Sequence, residues 1–158
     1  FYVKGYRNAI QYVHDETVKG MNEGKSRYAL MREVKLPREY YFINQAYGTV
    51  ALSVRGIYEG YAGWFDENPV SMYPIPVSDI YSDLAVAAGK ESLIKLADKY
   101  LSEGEYVKAL HITGIIISAY PDDEEAVARR KEALTRLQSR TYNYIEDIWL
   151  RKSLSEIK

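Results

Sequence analysis

The stretch that decides the fold spans residues 39–65 and reads EYYFINQAYGTVALSVRGIYEGYAGWF. Its apolar residues recur three and four positions apart, at Tyr47, Val50, Val54, Ile57, Tyr58 and Tyr61. This spacing is typical of one face of an amphipathic helix. We therefore predict that the segment is helical and that this face packs against other parts of the molecule.

Four glycines interrupt the same segment, at Gly48, Gly56, Gly60 and Gly63. A glycine inside a helix costs about 0.5–1 kcal/mol relative to alanine. We expect this cost to be offset because another helix, or a substrate, closely approaches the backbone there.

Two further helices are predicted before this stretch. Apolar residues at helical spacing predict the first over residues 6–21, and it is expected to end at Gly20 and Gly24, since glycine commonly terminates a helix. Ser26 is a typical N-cap residue, so it is expected to begin a short helix that runs to Val34.

A proline-rich connector follows at residues 66–77. It contains NP at 68–69 and YPIP at 73–76, and a residue before proline is biased towards extended backbone. We predict an extended segment here, and with it the one internal boundary of the chain. Ser78 is expected to cap the next helix, and Gly89 to end it.

Residues 78–158 are predicted to form repeat-like helices. Small and aromatic residues between 96 and 121 match a tetratricopeptide-type helical hairpin, of which only one period is present. Asp122 with Glu125 predicts the start of another helix through a capping box. A last helix is expected over residues 142–157.

No segment alternates between apolar and polar residues at period two, so no strand is predicted and the fold is expected to be all-α. The length of 158 residues suits a single helical domain. The chain has no cysteine, which excludes disulfides and thiolate sites. A net charge of −1 disfavours a nucleic-acid or membrane-surface partner, and no apolar run approaches the ~18 residues of a membrane span. Since the first residue is Phe1 rather than Met, we expect a fragment or a processed product, and the compartment stays open.

Candidate catalytic groups are few. His14 is followed by Asp15, but neighbours at i and i+1 do not face each other on a helix, so His14 is expected to be structural or to lie at the surface. His111 follows an apolar pattern and is expected to be buried in the core. Two isolated histidines do not make a zinc site, and a helix N-terminus explains the acidic residues 122–125. Neither a metal site nor a catalytic centre is predicted in this chain.

Two aromatic groups allow alternatives. Residues 40–42, with Tyr47 and Arg55, would suit a stacking platform for single-stranded nucleic acid, but the near-neutral charge favours core packing. Trp64 and Phe65 either line a ligand channel or seal a core.

An ordered series of short motifs resembles one known family. The motifs are YVHDET at 12–17, VKLP at 34–37, YGTV at 47–50, VR at 54–55, GWFDENP at 63–69 and PIP at 74–76. Together they resemble the all-helical dimerisation domain of the alkyl sulfatases, over nearly the whole of residues 1–158. The resemblance implies that the chain forms a homodimer through helical arms and helps to wall the entrance of an active site.

The resemblance also implies the chemistry of the parent protein, which would be a zinc-dependent hydrolase of sulfate esters of long-chain alcohols. Two zinc ions and a nucleophilic water would belong to an upstream metallo-β-lactamase-like domain absent from this chain. No cofactor is therefore expected within residues 1–158. The expected partners are a second copy of the chain, the upstream domain and, in the parent, an alkyl sulfate-like small molecule.

Candidate substrate-binding residues follow from the same resemblance. The family's Tyr-Gly-Thr segment approaches the sulfate, which makes Tyr47 the best candidate for a substrate contact, with Arg55 and Trp64 behind it. The leading helix is a candidate dimer arm, and it carries Tyr2, Tyr6 and Tyr12, three of the chain's 16 tyrosines. Tyrosine suits such surfaces because its large apolar ring ends in a polar group.

This chain departs from the family pattern at four positions that lie within or beside the quoted motifs. Ala46 replaces a second Tyr, Leu52 and Ser53 replace His-Asn, and Glu67 replaces Gly. Because the changes fall near the expected active-site wall, they leave open whether the substrate is a detergent-like alkyl sulfate.

A second hypothesis is a stand-alone helical-repeat module that binds a peptide or protein without catalysis, built around the hairpin at 100–121. An upstream His-x-His-x-Asp-His motif in the gene would favour the enzyme. A reading frame that starts near Phe1 would favour the binding module.

Overall fold

The computed structural model describes residues 2–66 and 68–157. These residues form eight α-helices and no strand, which confirms the all-α class. The helices are α1 (Tyr2–Asn22), α2 (Arg27–Glu33), α3 (Val50–Ala62), α4 (Tyr81–Ala88), α5 (Lys90–Ser102), α6 (Tyr106–Ala119), α7 (Glu124–Gln138) and α8 (Tyr144–Ser155). None of these helices is both long and apolar enough to cross a membrane. The tetratricopeptide-like character of the hairpin stays a prediction.

The chain divides into two compact units. The first comprises Phe1–Met72 and Asn143–Ile145, and the second comprises Tyr73–Tyr142 and Glu146–Lys158. The assignment of residues 1–158 to one dimerisation domain stays a prediction.

In the first unit, α1, α2 and α3 pack around a small apolar core. Val13 of α1, Leu30 of α2 and Val54 of α3 are almost completely buried there. Thr17 is also buried, and its hydroxyl donates to the carbonyl oxygen of Val13 at 2.6 Å, so no hydroxyl is left unpaired.

In the second unit, α6 contacts α4, α5 and α7. It buries Ala109, Thr113 and Ile116, whose spacing places them on one face of the helix. The Thr113 hydroxyl donates to the carbonyl oxygen of Ala109 at 3.0 Å, so this buried hydroxyl is paired.

The predicted helix starts have mixed outcomes. Ser26 is confirmed as the N-cap of α2, since its hydroxyl accepts the amide of Ala29 at 3.3 Å. The prediction for Asp122 is wrong by one residue: Asp123 caps α7 and is three residues before the amide that it accepts. Ser78 is not a cap because it lies inside a 3₁₀ turn, Val77–Ile80, and α4 begins only after that turn.

The predicted helix ends are confirmed at two glycines and wrong at a third. Gly24 and Gly89 adopt φ values of +75° and +80°, which favour glycine and lie just beyond α1 and α4. Gly20, by contrast, lies inside α1 and is buried. A Cβ atom there would lie 2.2 Å from Cδ2 of Leu30, so the glycine allows α2 to pack closely on α1.

The prediction for residues 39–65 is right only for the second half. The helix begins at Val50, so Tyr47 and Gly48 precede it. Thr49 is extended, with φ −110° and ψ 158°, and its hydroxyl caps α3, which fixes the helix start at this point.

No other helix closely approaches Gly48, Gly56 or Gly60 within the described residues, so that alternative is wrong, whereas the approach of a substrate stays a prediction. A Cβ atom at Gly48, Gly56 or Gly60 would meet no atom within 4 Å. Gly63 has a different role, since it ends α3 with φ +72°.

The connector is less extended than predicted. Residues Pro69–Met72 form a 3₁₀ turn. The reason is local, because the carboxylate of Asp66 accepts the amide of Asn68, and the Asn68 side chain in turn accepts the amide of Val70, both at 3.1 Å. The last helix, predicted over 142–157, is confirmed within two residues at each end.

Candidate functional site

A cleft of about 540 Å³ opens in the first unit between α1, the start of α3 and the segment of residues 43–49. We call it the α1–α3 cleft. Its apolar wall is formed mainly by Ala9, Ile10, Val13, Leu36, Ile43 and Ile57. Its polar side chains belong to Tyr6, Asn44, Gln45, Tyr47, Thr49 and Ser53. The volume falls in the range of about 300–1,000 Å³ that is usual for small-molecule sites.

Side chains of the 43–49 segment hold its own backbone. Asn44 accepts the amide of Ala46 at 2.8 Å, and Gln45 accepts the first amide of α3 at 2.9 Å. Thr49 accepts the third amide of the same helix at 3.2 Å. Together these bonds satisfy amides at the helix start and fix the segment over the cleft.

Residues 143–145 hold the same segment from the other side. The Asn143 side chain donates to the carbonyl oxygen of Gln45 at 2.8 Å, and the Tyr144 amide donates to that of Ala46 at 2.5 Å. Asn143 is only 3% exposed. Sequence reasoning missed it, because the helix expected over residues 142–157 placed Asn143 inside a helix, and nothing local signals a partner 98 residues away.

The structure places Tyr47, Arg55 and Trp64 in the first unit but gives each a different partner. Tyr47 lines the α1–α3 cleft, is 73% exposed and packs its ring on Tyr144, with centroids 5.4 Å apart. Arg55 lies on α3 and binds Glu59 through Nε at 2.9 Å. Trp64 is exposed beyond the end of α3, and its ring packs on Phe65. Only Tyr47 among the three lines the cleft.

Glu59 links Arg55 to a second arginine. Its Oε1 atom accepts from Arg55 and, at 2.5 Å, from Nη1 of Arg27 on α2. Hydrogen bonding to Tyr28 and the charge of Glu59 raise the pKa of Arg27 further above its ordinary value. One carboxylate therefore neutralises two guanidinium groups only in part, which leaves positive charge on this side of α3.

Three of the four departures from the family pattern lie in the described part of the chain. Ala46 and Ser53 line the α1–α3 cleft, and Leu52 is exposed one residue before Ser53. Glu67 lies outside the described residues. The substituted positions therefore include two that shape the cleft.

A chain of hydrogen bonds joins α1 to the end of α3. His14 contacts Asp15 through Nδ1 at 2.9 Å and the Tyr61 hydroxyl through Nε2 at 2.7 Å, so the expectation that His14 and Asp15 do not meet is wrong. Hydrogen bonds from His14 and Gln11 lower the pKa of Asp15. Because an ionised carboxylate only accepts, Nδ1 donates to it, and in neutral His14 the Nε2 atom accepts from Tyr61.

The core predictions for the other histidine and for the aromatic residues are partly wrong. His111 is exposed because it lies away from the buried face of α6. Tyr40 packs against the core of the first unit, whereas Tyr41 and Tyr47 are exposed. Trp64 is exposed as well, so it does not seal a core within the described residues.

Within residues 2–66 and 68–157, no group of three or more His, Asp or Glu side chains is placed to hold a metal ion. The acidic residues 122–125 are accounted for in part by Asp123, which caps α7 and binds Lys90 at 2.7 Å.

Comparison with known proteins connects this architecture to sulfatases. A linear primary-alkylsulfatase from a Pseudomonas species is 33% identical over 157 residues, which cover 96% of this chain and 30% of that protein. The chain thus spans less than a third of this curated relative.

Two solved structures share the fold. A double mutant of a sec-alkyl sulfatase superposes with a TM-score of 0.89, at 23% identity, over 99% of this chain and 25% of that one. The stereoselective inverting sec-alkylsulfatase from Pseudomonas sp. gives a TM-score of 0.86, at 22% identity, over 98% of this chain and 25% of that one.

A family model described as alkyl sulfatase dimerisation matches residues 28–156. That match covers most of the chain, from α2 to α8, and includes the 43–49 segment of the α1–α3 cleft. The chain therefore belongs to the alkyl sulfatase dimerisation family.

Proposed function

We propose that this chain forms a homodimer and serves as the dimerisation domain of a zinc-dependent alkyl sulfatase-like hydrolase. The observation that carries this proposal is the family match over residues 28–156. Relatives that bear the name alkylsulfatase match nearly the whole chain, which supports a sulfuric ester hydrolase as the parent protein.

Exposed apolar side chains support self-association. Tyr2, Val3 and Tyr6, in the first turns of α1, are all exposed, and their spacing places them along one side of the helix. Apolar side chains that cluster on a surface commonly mark a protein interface, and tyrosine is enriched there. We assign this side of α1 to the dimer arm.

Sedimentation equilibrium of the 158-residue chain tests the proposal. We expect a single species of twice the chain mass at micromolar concentrations. A strict monomer at several hundred micromolar would contradict the dimer role.

In the parent protein, we assign the zinc pair to the upstream metallo-β-lactamase-like domain, because the described residues of this chain offer no fitting ligand set. This chain would supply Tyr47 as a contact to the sulfate ester, with Arg55 on α3 and Trp64 beyond its end as further candidates. A tyrosine hydroxyl can donate a hydrogen bond to a sulfate oxygen, and the guanidinium of Arg55 adds positive charge.

The contact through Tyr47 is tested in the full-length protein by sulfate release from alkyl sulfate esters. Removal of one hydrogen bond to a charged group costs roughly 1.5–3 kcal/mol, so Tyr47→Phe should lower kcat/KM by about tenfold or more. Tyr41→Phe is the matched control, because Tyr41 is equally exposed but does not line the cleft. Equal activity of the two variants would remove Tyr47 from the substrate contacts, and activity that survives chelation of zinc would contradict the proposed metal dependence.

A further inference from the structure

The α1–α3 cleft has no charged lining. Fifteen described residues line it, and none is Lys, Arg, His, Asp or Glu. An anion buried there would find no opposite charge, and burial of an unpaired charge is strongly unfavourable. The cleft is therefore suited to an uncharged group.

Most of the polar side chains at the cleft already make hydrogen bonds to the backbone. Asn44, Gln45 and Thr49 accept backbone amides, and the Ser53 hydroxyl donates to the carbonyl oxygen of Thr49 at 3.2 Å. The Tyr47 hydroxyl, in contrast, has no hydrogen-bond partner in the described part of the chain. An occupant would thus meet an apolar wall and, at the exposed edge, the hydroxyl of Tyr47, and Tyr6 contributes a second exposed tyrosine to the lining.

We propose that the α1–α3 cleft binds the hydrocarbon chain of the sulfate ester and of the alcohol that its hydrolysis releases, while the Tyr47 hydroxyl meets the polar end. This inference rests on the proposed function, since it assigns the alkyl part of that substrate to a site in this chain. Ile10, Val13 and Ile57 supply the apolar contacts. The uncharged lining favours the neutral alcohol at least as much as the anionic ester.

The test uses the isotopically labelled 158-residue chain and follows its amide NMR signals during titration with 1-hexanol, 1-octanol and octyl sulfate below micellar concentrations. We expect saturable shifts centred on residues 43–57. Two additional methylene groups contribute about 1.6 kcal/mol when buried, so 1-octanol should bind about tenfold more tightly than 1-hexanol. Octyl sulfate should bind no more tightly than 1-octanol.

A charge placed in the wall gives an independent reading. Ile10 is 53% exposed, so Ile10→Glu should leave the fold intact while it lowers the affinity for 1-octanol by about tenfold or more. The control is Ile148→Glu on α8, where a 41% exposed isoleucine does not line the cleft. The control should change the affinity less than twofold.

Shifts that spread over the chain without saturation, an affinity that does not depend on chain length, or equal effects of the two variants would each overturn the proposal. These outcomes are separable from failure of the dimer role. A dimer in sedimentation that binds no alcohol would reject the cleft alone, whereas a monomer that binds 1-octanol saturably would reject dimerisation alone.

Discussion

Gly20 and Gly56 both lie inside helices of the first unit, but their surroundings are opposite. A Cβ atom at Gly20 would lie 2.2 Å from the buried side chain of Leu30, whereas one at Gly56 would meet nothing within 4 Å. Gly20→Ala should therefore lower the free energy of unfolding by about 1–3 kcal/mol through overpacking. Gly56→Ala should raise it by about 0.5–1 kcal/mol because alanine favours the helix.

Urea unfolding followed by circular dichroism, at one low protein concentration, measures both variants. The comparison is matched because the same substitution is made inside two helices of one unit. If Gly20→Ala is as stable as Gly56→Ala, the close packing of α1 on α2 is not a feature of the molecule.

Asp123 combines a helix cap with an ion pair. Its carboxylate accepts the Ala126 amide at 2.9 Å and binds Nζ of Lys90 at 2.7 Å. The bond to Lys90, followed by that to the amide, lowers the pKa of Asp123 below its ordinary value of 3.8. Because the folded state binds this proton less readily than the unfolded state, the stabilisation is complete above the unfolded pKa and is lost as pH falls through the folded pKa.

The charge and the cap of Asp123 can be separated by two variants. Asp123→Asn keeps a good cap, so its unfolding free energy should fall less than that of the wild type as pH is lowered from about 5 to below 3.8. Asp123→Ala removes the cap and should cost about 1 kcal/mol at pH 7. Urea unfolding across this pH range gives both results, and parallel curves for the wild type and Asp123→Asn would contradict the lowered pKa.

At the scale of elements, helices were predictable wherever local signals agreed. Ser26 marks the start of α2 and Gly24 follows the end of α1, both as expected. An N-cap and a left-handed glycine depend on neighbouring residues only, so the local sequence indicates them. Tyr47 shows where that reasoning stops. Its helical spacing to Val50 and Val54 is genuine, but Thr49 begins the helix and holds Tyr47 outside it.

The candidate site was less predictable because its parts meet over long distances in sequence. Tyr47 was found through a motif, yet the cleft beside it is formed by α1 together with residues 43–57. The contact of His14 with Tyr61 joins residues 47 positions apart, and that of Asn143 with Gln45 joins residues 98 positions apart. Periodicity describes one element at a time, so it cannot indicate such pairs.

The bond from Asn143 to Gln45 should hold the 43–49 segment in place. Asn143→Ala leaves the part-buried carbonyl of Gln45 without this donor, which should cost about 1–3 kcal/mol. Loss of this bond should loosen the 43–49 segment, so the amides of Ala46 and Val50 should exchange faster with solvent. Hydrogen exchange measured by NMR detects the faster exchange of these two amides. The exchange rates of the α6 amides should change little.

Asn68→Ala is the matched control for this variant. Its side chain also bonds to the backbone, here by accepting the amide of Val70, but it is exposed and lies outside the cleft. We expect its effect on the 43–49 amides to be negligible. If Asn143→Ala and Asn68→Ala exchange alike, the segment is held by its own side chains rather than by residues 143–145.

At the scale of the whole molecule, the chain has two kinds of apolar surface. The buried residues of each unit explain how the chain folds, whereas Val3 and Tyr6 of α1 remain more than half exposed in a single chain. When a dimer folds, its interface forms as well, so folding and dimerisation would be a single coupled equilibrium. The stability of the chain would then depend on its concentration.

That dependence is the last prediction. A hundredfold rise in chain concentration adds about 2.7 kcal/mol to the unfolding free energy of a dimer and should raise Tm by several degrees. Val3→Glu, on the arm, should reduce this rise. Val3 is 83% exposed and is the second residue of α1, where a carboxylate suits the helix dipole, so the helix itself should persist. Val107→Glu is the control, since Val107 is exposed and is the second residue of α6. Calorimetry at two concentrations decides: an equal rise in both variants would exclude this side of α1 from the interface, and no rise in the wild type would contradict the dimer.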